Sequence, residues 1–515
     1  MDAASPVGAD SGPLRGREPA QTRDARFHVA VVGGGIAGLA AAYFLKDAAV
    51  RVTLFESSPR IGGKLAVSEI AGIQVDEGAE AMLARRPEGT ELAAAVGLGD
   101  QLVSPGTTAA AIWTRGALRP LPGGQVMGVP GDLAALARSG LLSGPGLARS
   151  WLDLILPATR HDHDVAVAAR VGARFGPEVV DRLVEPLLGG VYAGRADDLS
   201  FEATLPGLAA AARSHRTLRG AARSVLAAAA ADAAAQRRGV AGGRPPGLAQ
   251  PVFTTLAGGL GTLPEAVAAA SAARVRTAAT VRELRRAADG WRLTVGSADT
   301  TGGTVEYVSA DAVVVAVPAR PASRLLRAEA PAAAAALGEI EYASMAIVTL
   351  AFPREAFGQR PRGSGYLVPA VDGRAVKAVT FSTVKWPHLL ARPGDGAACE
   401  AVRCSVGRIG EEQVLQRPDD DLVALARSEL AEALGVAGRP VAARVSRWGG
   451  ALPQYSVGHI ARVARIRAAV AAQRGLGVCG AAYDGLGIPA CIATAEQAAA
   501  QVLGYLEARR DRTGR

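Results

Sequence analysis

The chain has 515 residues, 49% of them hydrophobic and 20% charged, which excludes wholesale disorder and predicts about two to four domains. Its net charge of +9 is not arranged as a basic stripe interleaved with aromatic residues, so nucleic acid is the least favoured partner. The chain shows no C-x-x-C pair, no apolar leader, no metal-ligand pattern and no run of about 18 apolar residues. We therefore expect a metal-free cytoplasmic protein with at most peripheral membrane contact.

The first elements in chain order predict a βαβ unit. Residues 1–26 are polar and rich in Gly, Pro and Ala, and are predicted to be a disordered tail. From Phe27, the run FHVAVV predicts a buried strand, a glycine-rich turn then opens a helix, and VRVTLFE predicts a second strand. Two such strands joined by a helix lie parallel. Residues 27–105 are therefore predicted to begin a nucleotide-binding domain.

The rest of the chain divides by pattern into five further segments. Helical periodicity predicts a helical insertion at residues 106–225, and low complexity predicts a flexible loop at 226–250. Returning strand patterns predict a second part of the nucleotide-binding domain at 251–335. Alternating residues predict an antiparallel substrate sheet at 336–440, and 441–515 would complete the nucleotide-binding domain. The predicted fold class is α/β, a Rossmann-like domain with an antiparallel-sheet substrate domain and a helical insertion.

The glycine-rich turn carries the strongest chemical signal. It follows a strand, opens a helix and matches G-x-G-x-x-G, a pattern that lets the backbone approach a pyrophosphate and the helix N-terminus bind it. Glu56 ends the second strand, 18 residues after the last glycine of the pattern, where a carboxylate can bind the hydroxyls of an adenosine ribose. The turn consists of Gly33, Gly34, Gly35, Ile36, Ala37 and Gly38.

Two further segments distinguish FAD from NAD as the dinucleotide. Glu56 is followed by SSPRIGGK, whose second glycine pair and Lys64 bring more backbone and charge to a diphosphate. Near the end of the chain, GAAYDGLGIPA is a glycine-rich turn that leads into a helix and can direct its N-terminus at a flavin ring. This pattern of an acid followed by a glycine pair and a cation resembles the one found in the flavin-dependent amine oxidase and protoporphyrinogen oxidase superfamily.

Longer blocks make the resemblance narrower. VEPLLGGVYAG (184–194), FTTLAGGLGTLPEAV (253–267), RWGGALPQYSVGH (447–459) and GAAYDGLGIPACI (480–492) resemble the bacterial porphyrinogen oxidases of haem synthesis, most of all the Gram-positive type that acts on coproporphyrinogen III. The resemblance implies FAD as cofactor, oxidation at flavin N5, three O2 reduced to three H2O2, and a peripheral membrane association. Haem-pathway proteins are possible partners.

The resemblance also implies which residues bind FAD. Val281 would touch the adenine through its backbone, and Trp448 would flank the isoalloxazine together with the last turn. The implied positions are Gly33, Gly34, Gly35, Ile36, Ala37, Gly38, Glu56, Ser57, Lys64, Gly78, Ala79, Glu80, Ala81, Val281, Trp448, Leu486, Gly487 and Ile488.

The substrate is less determined than the cofactor. The animal-type protoporphyrinogen enzymes carry an arginine where this chain has Glu80, an acid that is usual in the Gram-positive type. Arg85, Arg86 and Lys385 are the predicted contacts to substrate carboxylates. No catalytic side chain is assigned, and His459 is expected to be a hydrogen-bonded structural residue.

Three alternatives stay open at this stage. Protoporphyrinogen IX oxidation would use the same site and chemistry. Flavin amine oxidases and carotenoid desaturases share the FAD frame, and a scaffold protein with structural FAD would show no turnover.

Four arginines at three- and four-residue spacing predict a helix face that suits an anionic membrane surface or an acidic partner, unless it is merely solvated: Arg213, Arg216, Arg219 and Arg223.

Overall fold

A parallel sheet forms the centre of the nucleotide-binding domain. In a computed structural model of the chain, Phe27–Val32 pairs in parallel with Val50–Phe55 on one side and with Ala312–Val315 on the other. The predicted βαβ unit is confirmed, with the helix Ile36–Phe44 between the first two strands. In sheet order the five strands are Arg274–Arg276, Val50–Phe55, Phe27–Val32, Ala312–Val315 and Leu476–Val478. The structure describes residues 27–158, 163–239, 252–297, 305–390 and 399–513.

A second, seven-stranded sheet carries the predicted substrate domain. Its strands pair antiparallel, except that Gly365–Leu367 runs parallel to Ala111–Thr114. The antiparallel sheet is confirmed. In sheet order its strands are Ala442–Pro453, Tyr342–Pro353, Cys399–Val406, Val376–Phe381, Gly365–Leu367, Ala111–Thr114 and Ala117–Pro120.

The bounds of this sheet differ from those predicted. Residues 111–120 were assigned to the helical insertion and 442–453 to the nucleotide-binding domain, but both contribute strands to the seven-stranded sheet. The two four-residue strands of the hairpin at 111–120 are too short to show a period, and only their partners decide which sheet they join. Domain bounds therefore follow strand pairing here rather than chain order.

Four smaller sheets complete the strand pairing of the described residues. A three-stranded sheet joins Met82–Leu83, Phe253–Leu256 and Leu102–Val103. It places the start of the block FTTLAGGLGTLPEAV (253–267) beside Met82–Leu83. Another three-stranded sheet consists of Ala279–Ala287, Gly290–Ser297 and Glu306–Ala310. The two-stranded pairs are Val67–Ile70 with Ile73–Asp76 and Gln125–Val126 with Val129–Pro130.

Helices cover the nucleotide-binding sheet and form the insertion. The predicted flexible loop at 226–250 is wrong for its first part, because the helix Leu218–Gly239 continues through an alanine-rich stretch, and alanine has the highest helix propensity. Residues 240–251 lie outside the described residues, as do 1–26. The other α-helices are Ile36–Phe44, Pro87–Ala95, Leu133–Ser139, Gly144–Trp151, Val167–Phe175, Pro177–Val179, Glu185–Tyr192, Phe201–Thr204, Pro206–Ser214, Leu263–Ala270, Ala319–Leu326, Pro331–Gly338, Ser382–Lys385, Asp419–Leu434, His459–Ala471 and Ile488–Thr513.

Short turns of other helix types complete the chain. A π-helical turn, Val180–Val184, precedes the helix Glu185–Tyr192 in the insertion. The 3₁₀ turns are Gly99–Gln101, Leu152–Leu154, Leu260–Thr262, Arg354–Ala356, Ala370–Asp372, Pro387–Leu390 and Glu412–Gln416. In the described part of the chain, no helix has both the length and the apolar character needed to cross a bilayer, and no cluster of three His, Cys, Asp or Glu residues could hold a metal ion.

Candidate active site

The first glycine-rich turn leaves its backbone open at one point. Gly33 has φ +111°, and its amide donates to the carbonyl of Phe55 at 2.8 Å, which ties the turn to the neighbouring strand. A Cβ at Gly38 would overlap the carbonyl oxygen of Gly33, whereas a Cβ at Gly35 would meet no protein atom within 4 Å. Gly33 and Gly38 are therefore required by the fold, and Gly35 leaves room for a ligand at the N-terminus of the helix Ile36–Phe44.

Glu56 lies at the carboxyl end of the neighbouring strand, beside this turn. Its carboxylate accepts the amides of Gly34 at 2.7 Å and Ser58 at 2.8 Å. Its carbonyl accepts the amide of Ala279 at 2.8 Å, so the strand that contains Val281 lies directly against it. The predicted ribose and adenine contacts are thus brought together, while the Ser57 side chain is exposed.

The second glycine pair packs against the first turn. The amide of Gly62, which has φ +100°, donates to the carbonyl of Gly34 at 2.8 Å. Lys64 follows this pair, is half-buried, and has no hydrogen-bond or ion-pair partner in the described part of the chain. Burial lowers the pKa of Lys64 from its usual value. An unpaired cation next to two glycine turns is the donor set that a diphosphate needs.

Trp448 joins the substrate sheet to this region. Its indole Nε1 donates to the carbonyl of Glu77 at 2.9 Å. A Cβ at Gly78 would overlap the carbonyl oxygen of Lys64 and lie 3.2 Å from the Trp448 ring. Gly78 therefore permits Trp448 and Lys64 to approach one another, with exposed Ala79 and half-buried Ala81 following it.

The last glycine-rich turn lies against the first. Cys479 Sγ is 3.8 Å from the carbonyl oxygen of Ala37, and a Cβ at Gly480 would contact Ala37 at the same distance. The turn ends at the helix Ile488–Thr513. Leu486, Gly487 and Ile488, at this junction, were predicted to flank the flavin. Three glycine-containing segments that are distant in sequence thus converge at the ends of the parallel strands, where nucleotides bind in α/β sheets.

An ion cluster forms behind Gly78. Glu80 accepts from Lys385 Nζ at 2.5 Å and from Arg403, which also donates to the carbonyl of Gly78 at 2.6 Å. Burial alone would raise the pKa of Glu80, but the charges of Lys385 and Arg403 outweigh it and hold that pKa at about 2. Sequence reasoning missed Arg403. Its signal was a lone cation in the apolar strand Cys399–Val406, because a buried cation needs an acid.

This cluster changes the interpretation of the predicted substrate contacts. Lys385 pairs with Glu80 at 2.5 Å, and Arg86 pairs with Glu88 at 2.5 Å. Arg85 is exposed and has no ion-pair or hydrogen-bond partner within the described ranges. Of the three predicted cations, Arg85 alone therefore has its charge free for a substrate carboxylate.

A small cavity adjoins the ion cluster. Four of its lining side chains are buried and carry a polar atom that has no hydrogen-bond partner in the described part of the chain: Thr255 Oγ1, Ser382 Oγ, Trp386 Nε1 and Arg403 Nε. Asp76 lines the same cavity and accepts the amide of Gly261 at 3.1 Å. Unsatisfied buried polar groups each cost about 1–3 kcal/mol, so we expect ordered water here.

Asp76 gives the cavity a pH dependence. Burial raises the pKa of Asp76 to about 6 despite the nearby charge of Arg403. The folded protein therefore binds this proton more tightly than the unfolded chain, and wild-type stability falls as pH rises from about 4 to about 6. Asp76→Asn is expected to gain about 2–3 kcal/mol over the wild type across that window and to hold the gain above it. Urea unfolding across the range tests this.

The control for this prediction is Asp47→Asn, which removes a carboxylate that is 89% exposed. We expect its stability difference from the wild type to stay within about 0.5 kcal/mol at every pH. A difference between Asp76→Asn and the wild type that does not change with pH would contradict the assignment.

Comparison with known proteins agrees with this geometry. The family model for flavin-containing amine oxidoreductases matches residues 36–503. The chain belongs to this family. As a member it is a flavin-containing oxidoreductase, and the converging glycine turns with the unpaired Lys64 fit such a cofactor. The family match confirms the predicted superfamily.

Individual relatives indicate which members of this family the chain is similar to. The chain is 39% identical over 486 residues to the coproporphyrinogen III oxidase of Mycobacterium tuberculosis H37Rv, which covers 93% of this chain and 98% of that one. It is 32% identical to the coproporphyrinogen III oxidase of Bacillus subtilis, over 94% and 99% of the two chains. An Exiguobacterium sp. 255-15 structure assigned as a protoporphyrinogen oxidase has a TM-score of 0.78 and 29% identity, covering 94% of this chain and 99% of that one.

Proposed function

We propose that the protein is an FAD-dependent oxidase of haem biosynthesis that converts coproporphyrinogen III to coproporphyrin III while three O2 are reduced to three H2O2. The observation that carries this proposal is the 39% identity to a coproporphyrinogen III oxidase over 93% of the chain. FAD rather than another flavin is supported by Glu56, held where a ribose would bind, and by two glycine turns suited to a diphosphate.

The chain's own residues bind and orient the cofactor. The open backbone at Gly35 and the cation Lys64 would hold the diphosphate, and Glu56 would bind the ribose. Trp448 and the turn Leu486–Ile488 would border the ring. When bound, FAD supplies the two-electron acceptor for each oxidation step. The remaining proposed contacts are Gly33, Gly34, Ile36, Ala37, Gly38, Ser57, Gly78, Ala79, Glu80, Ala81 and Val281.

Arg85 is the proposed contact to a substrate carboxylate. It is exposed and lies two residues after the strand Met82–Leu83, whereas Arg86 and Lys385 each pair with a carboxylate. A free guanidinium binds a carboxylate bidentately. Arg85 therefore contributes to the recognition of a porphyrinogen with several carboxylates.

The test is aerobic turnover of the FAD-loaded protein on both porphyrinogens, followed by porphyrin fluorescence. We expect kcat/KM to be at least about tenfold higher for coproporphyrinogen III, a difference of about 1.4 kcal/mol in transition-state binding. Protoporphyrinogen IX oxidation is the alternative, favoured by 30% identity to the protoporphyrinogen oxidase of Bos taurus over 92% of this chain. A preference for protoporphyrinogen IX would establish that alternative.

A specific control separates an amine oxidase from a porphyrinogen oxidase. The cyclohexylamine oxidase of Brevibacterium oxydans is 15% identical with a TM-score of 0.64, which shows a shared fold alone. Cyclohexylamine should therefore give no H2O2 above background. Turnover of the amine without turnover of either porphyrinogen would overturn the proposal, as would retained FAD with no turnover at all.

The insertion carries the surface proposed for peripheral membrane contact of a cytoplasmic protein. Ile155 is 75% and Trp151 47% exposed, at the end of the helix Gly144–Trp151. Arg216 lies beside them and donates to the carbonyls of Leu154 and Leu156. Exposed apolar side chains next to arginine suit an anionic membrane surface.

The four arginines predicted on one helix face are distributed differently. The helix Pro206–Ser214 ends before Arg216, so the prediction of a continuous face is wrong. Arg213 pairs with Glu202 at 2.7 Å, while Arg219 and Arg223 line an open groove. The membrane proposal therefore rests on the exposed apolar residues Trp151 and Ile155 and not on a row of arginines.

Sedimentation with phosphatidylglycerol vesicles tests this contact. The double variant Trp151→Ser with Ile155→Asp should bind at least about tenfold more weakly, because each buried apolar side chain contributes about 1.5–3 kcal/mol. Val371→Asp, at a 55% exposed apolar residue in another part of the surface, is the matched control and should bind as the wild type does. Equal binding by all three proteins would contradict the contact.

A further inference from the structure

Two buried side chains hold the last glycine-rich turn from one side. The hydroxyl of Tyr455 donates to the carbonyl of Ala481 at 2.7 Å. The Nε2 of His459 is 3.1 Å from the carbonyl oxygen of Tyr483. Two peptide carbonyls within three residues of the turn are thus bound by two side chains from outside it.

These two side chains form a rigid unit. The rings of Tyr455 and His459 stack with centroids 3.9 Å apart and planes 12° from parallel. Both are nearly inaccessible, at 2% and 1% exposed. The carbonyl of Tyr455 accepts the amide of Ser200 at 2.7 Å, which anchors the pair to the insertion. Because the stacked pair is anchored to Ser200, the two turn carbonyls that it binds are held in a fixed position relative to each other.

The protonation of His459 follows from its partner. The carbonyl oxygen of Tyr483 can only accept, so Nε2 carries the hydrogen and donates it. Burial lowers the pKa of His459 to about 4, and the ring is neutral at physiological pH. His459 therefore acts as a fixed donor and not as a base.

The opposite side of the same turn meets the nucleotide-binding helix. Cys479 Sγ lies 3.8 Å from the carbonyl oxygen of Ala37, in the first glycine-rich motif, and a Cβ at Gly480 would contact the same residue. In a trans peptide the N–H points away from the C=O, so binding the carbonyls of Ala481 and Tyr483 turns the amides of Ala482 and Asp484 away from the pair. The turn thus lies between a rigid support and the place proposed for the flavin.

We propose that Tyr455 and His459 are positioning residues that hold the turn 480–487 in the conformation that binds the flavin ring, and that they thereby raise the reduction potential of the bound flavin. This inference rests on the proposed FAD site. Backbone N–H groups and a helix N-terminus aimed at the ring stabilise the added electron density of the reduced form. Without the hydrogen bonds from Tyr455 and His459, the turn would orient these N–H groups less well toward the ring.

The experiment compares four variants loaded with FAD. Tyr455→Phe removes one oxygen and keeps the stack, His459→Leu removes the donor, and His459→Gln restores a donor. Tyr192→Phe is the matched control, since Tyr192 is a buried tyrosine 5.6 Å from Tyr455 with no hydrogen bond to the turn. The measurements are the flavin midpoint potential, by equilibration with redox dyes, and the FAD dissociation constant.

We expect Tyr455→Phe and His459→Leu to lower the potential by about 30 mV or more, which is a tenfold loss of preference for the reduced form in a two-electron couple. His459→Gln and Tyr192→Phe should match the wild type within a third of that shift. Unchanged potentials in Tyr455→Phe and His459→Leu would overturn the inference, as would an equal shift in Tyr192→Phe. If His459→Leu does not fold, Tyr455→Phe decides.

Failure of the proposed function is recognised separately. If the wild type binds FAD but oxidises neither porphyrinogen, the proposed substrate is wrong, while the potentials still test the two positioning residues. If the wild type is active and the variant potentials equal its own, the positioning inference alone is wrong.

Discussion

Gly35→Val is expected to weaken flavin binding by at least about hundredfold, or about 2.7 kcal/mol, while the protein still folds. A Cβ at Gly35 would meet no protein atom within 4 Å, so a side chain there would extend into the space where a diphosphate would approach the backbone. The substitution would also lower the free energy of unfolding by about 1 kcal/mol, because glycine is preferred over valine at a helix N-cap. Equilibrium dialysis with FAD and urea unfolding of the flavin-free protein measure the two effects separately.

Gly38→Ala is the matched comparison. Its Cβ would overlap the carbonyl oxygen of Gly33, so the turn itself must shift, and overpacking of this kind costs about 1–3 kcal/mol or more. We expect Gly38→Ala to lose both stability and flavin binding, whereas Gly35→Val loses binding with little change in stability. Flavin binding by Gly35→Val at wild-type affinity would place the diphosphate elsewhere.

Glu80→Ala is expected to lower the free energy of unfolding by about 3–5 kcal/mol at neutral pH. The carboxylate pairs with both Lys385 and Arg403, and Arg403 is only 6% exposed. Removing the carboxylate therefore leaves two cations without their counter-charge in a poorly solvated place. With a pKa of about 2, Glu80 stays charged well below its ordinary pKa, and its contribution is lost only as pH falls from about 4 toward 2. Chemical denaturation at neutral pH checks the size of the effect.

The double variant Glu80→Ala with Lys385→Met provides the internal control. It removes one of the two uncompensated cations, so we expect it to be more stable than Glu80→Ala alone. Flavin affinity should follow the same order, because Arg403 also binds the carbonyl of Gly78. A Glu80→Ala protein as stable as the wild type would mean that solvent already screens both cations.

The local sequence determined the elements that have a short-range cause. The strand Phe27–Val32, the turn at Gly33 and the helix Ile36–Phe44 follow from an apolar β-branched run, a glycine that tolerates a positive φ, and a helix start. The antiparallel sheet follows in the same way from alternating residues, as in Tyr342–Pro353. Each of these patterns is complete within about ten residues, so the fold class could be predicted from it.

Tertiary structure decided the charges at the site. Lys385 and Arg403 lie 305 and 323 residues from Glu80 in the chain, and no local pattern links them. Lys385 was predicted to bind a substrate carboxylate, but an ion pair depends on which strands become neighbours. The same holds for Tyr455 and His459, whose hydrogen bonds to the last turn join residues 26 and 24 positions apart in the chain.

Sheet membership and helix ends show the same division. The short strands at 111–120 joined the substrate sheet because pairing with Gly365–Leu367 was available, which their own composition does not encode. The helix Leu218–Gly239 extended through a low-complexity stretch because its first turns pack against the insertion core. By itself the sequence determined the cofactor-binding frame through backbone conformation and periodicity. Only the tertiary structure decided the ion pairs, the domain bounds and the free cations, because these depend on long-range contacts and burial.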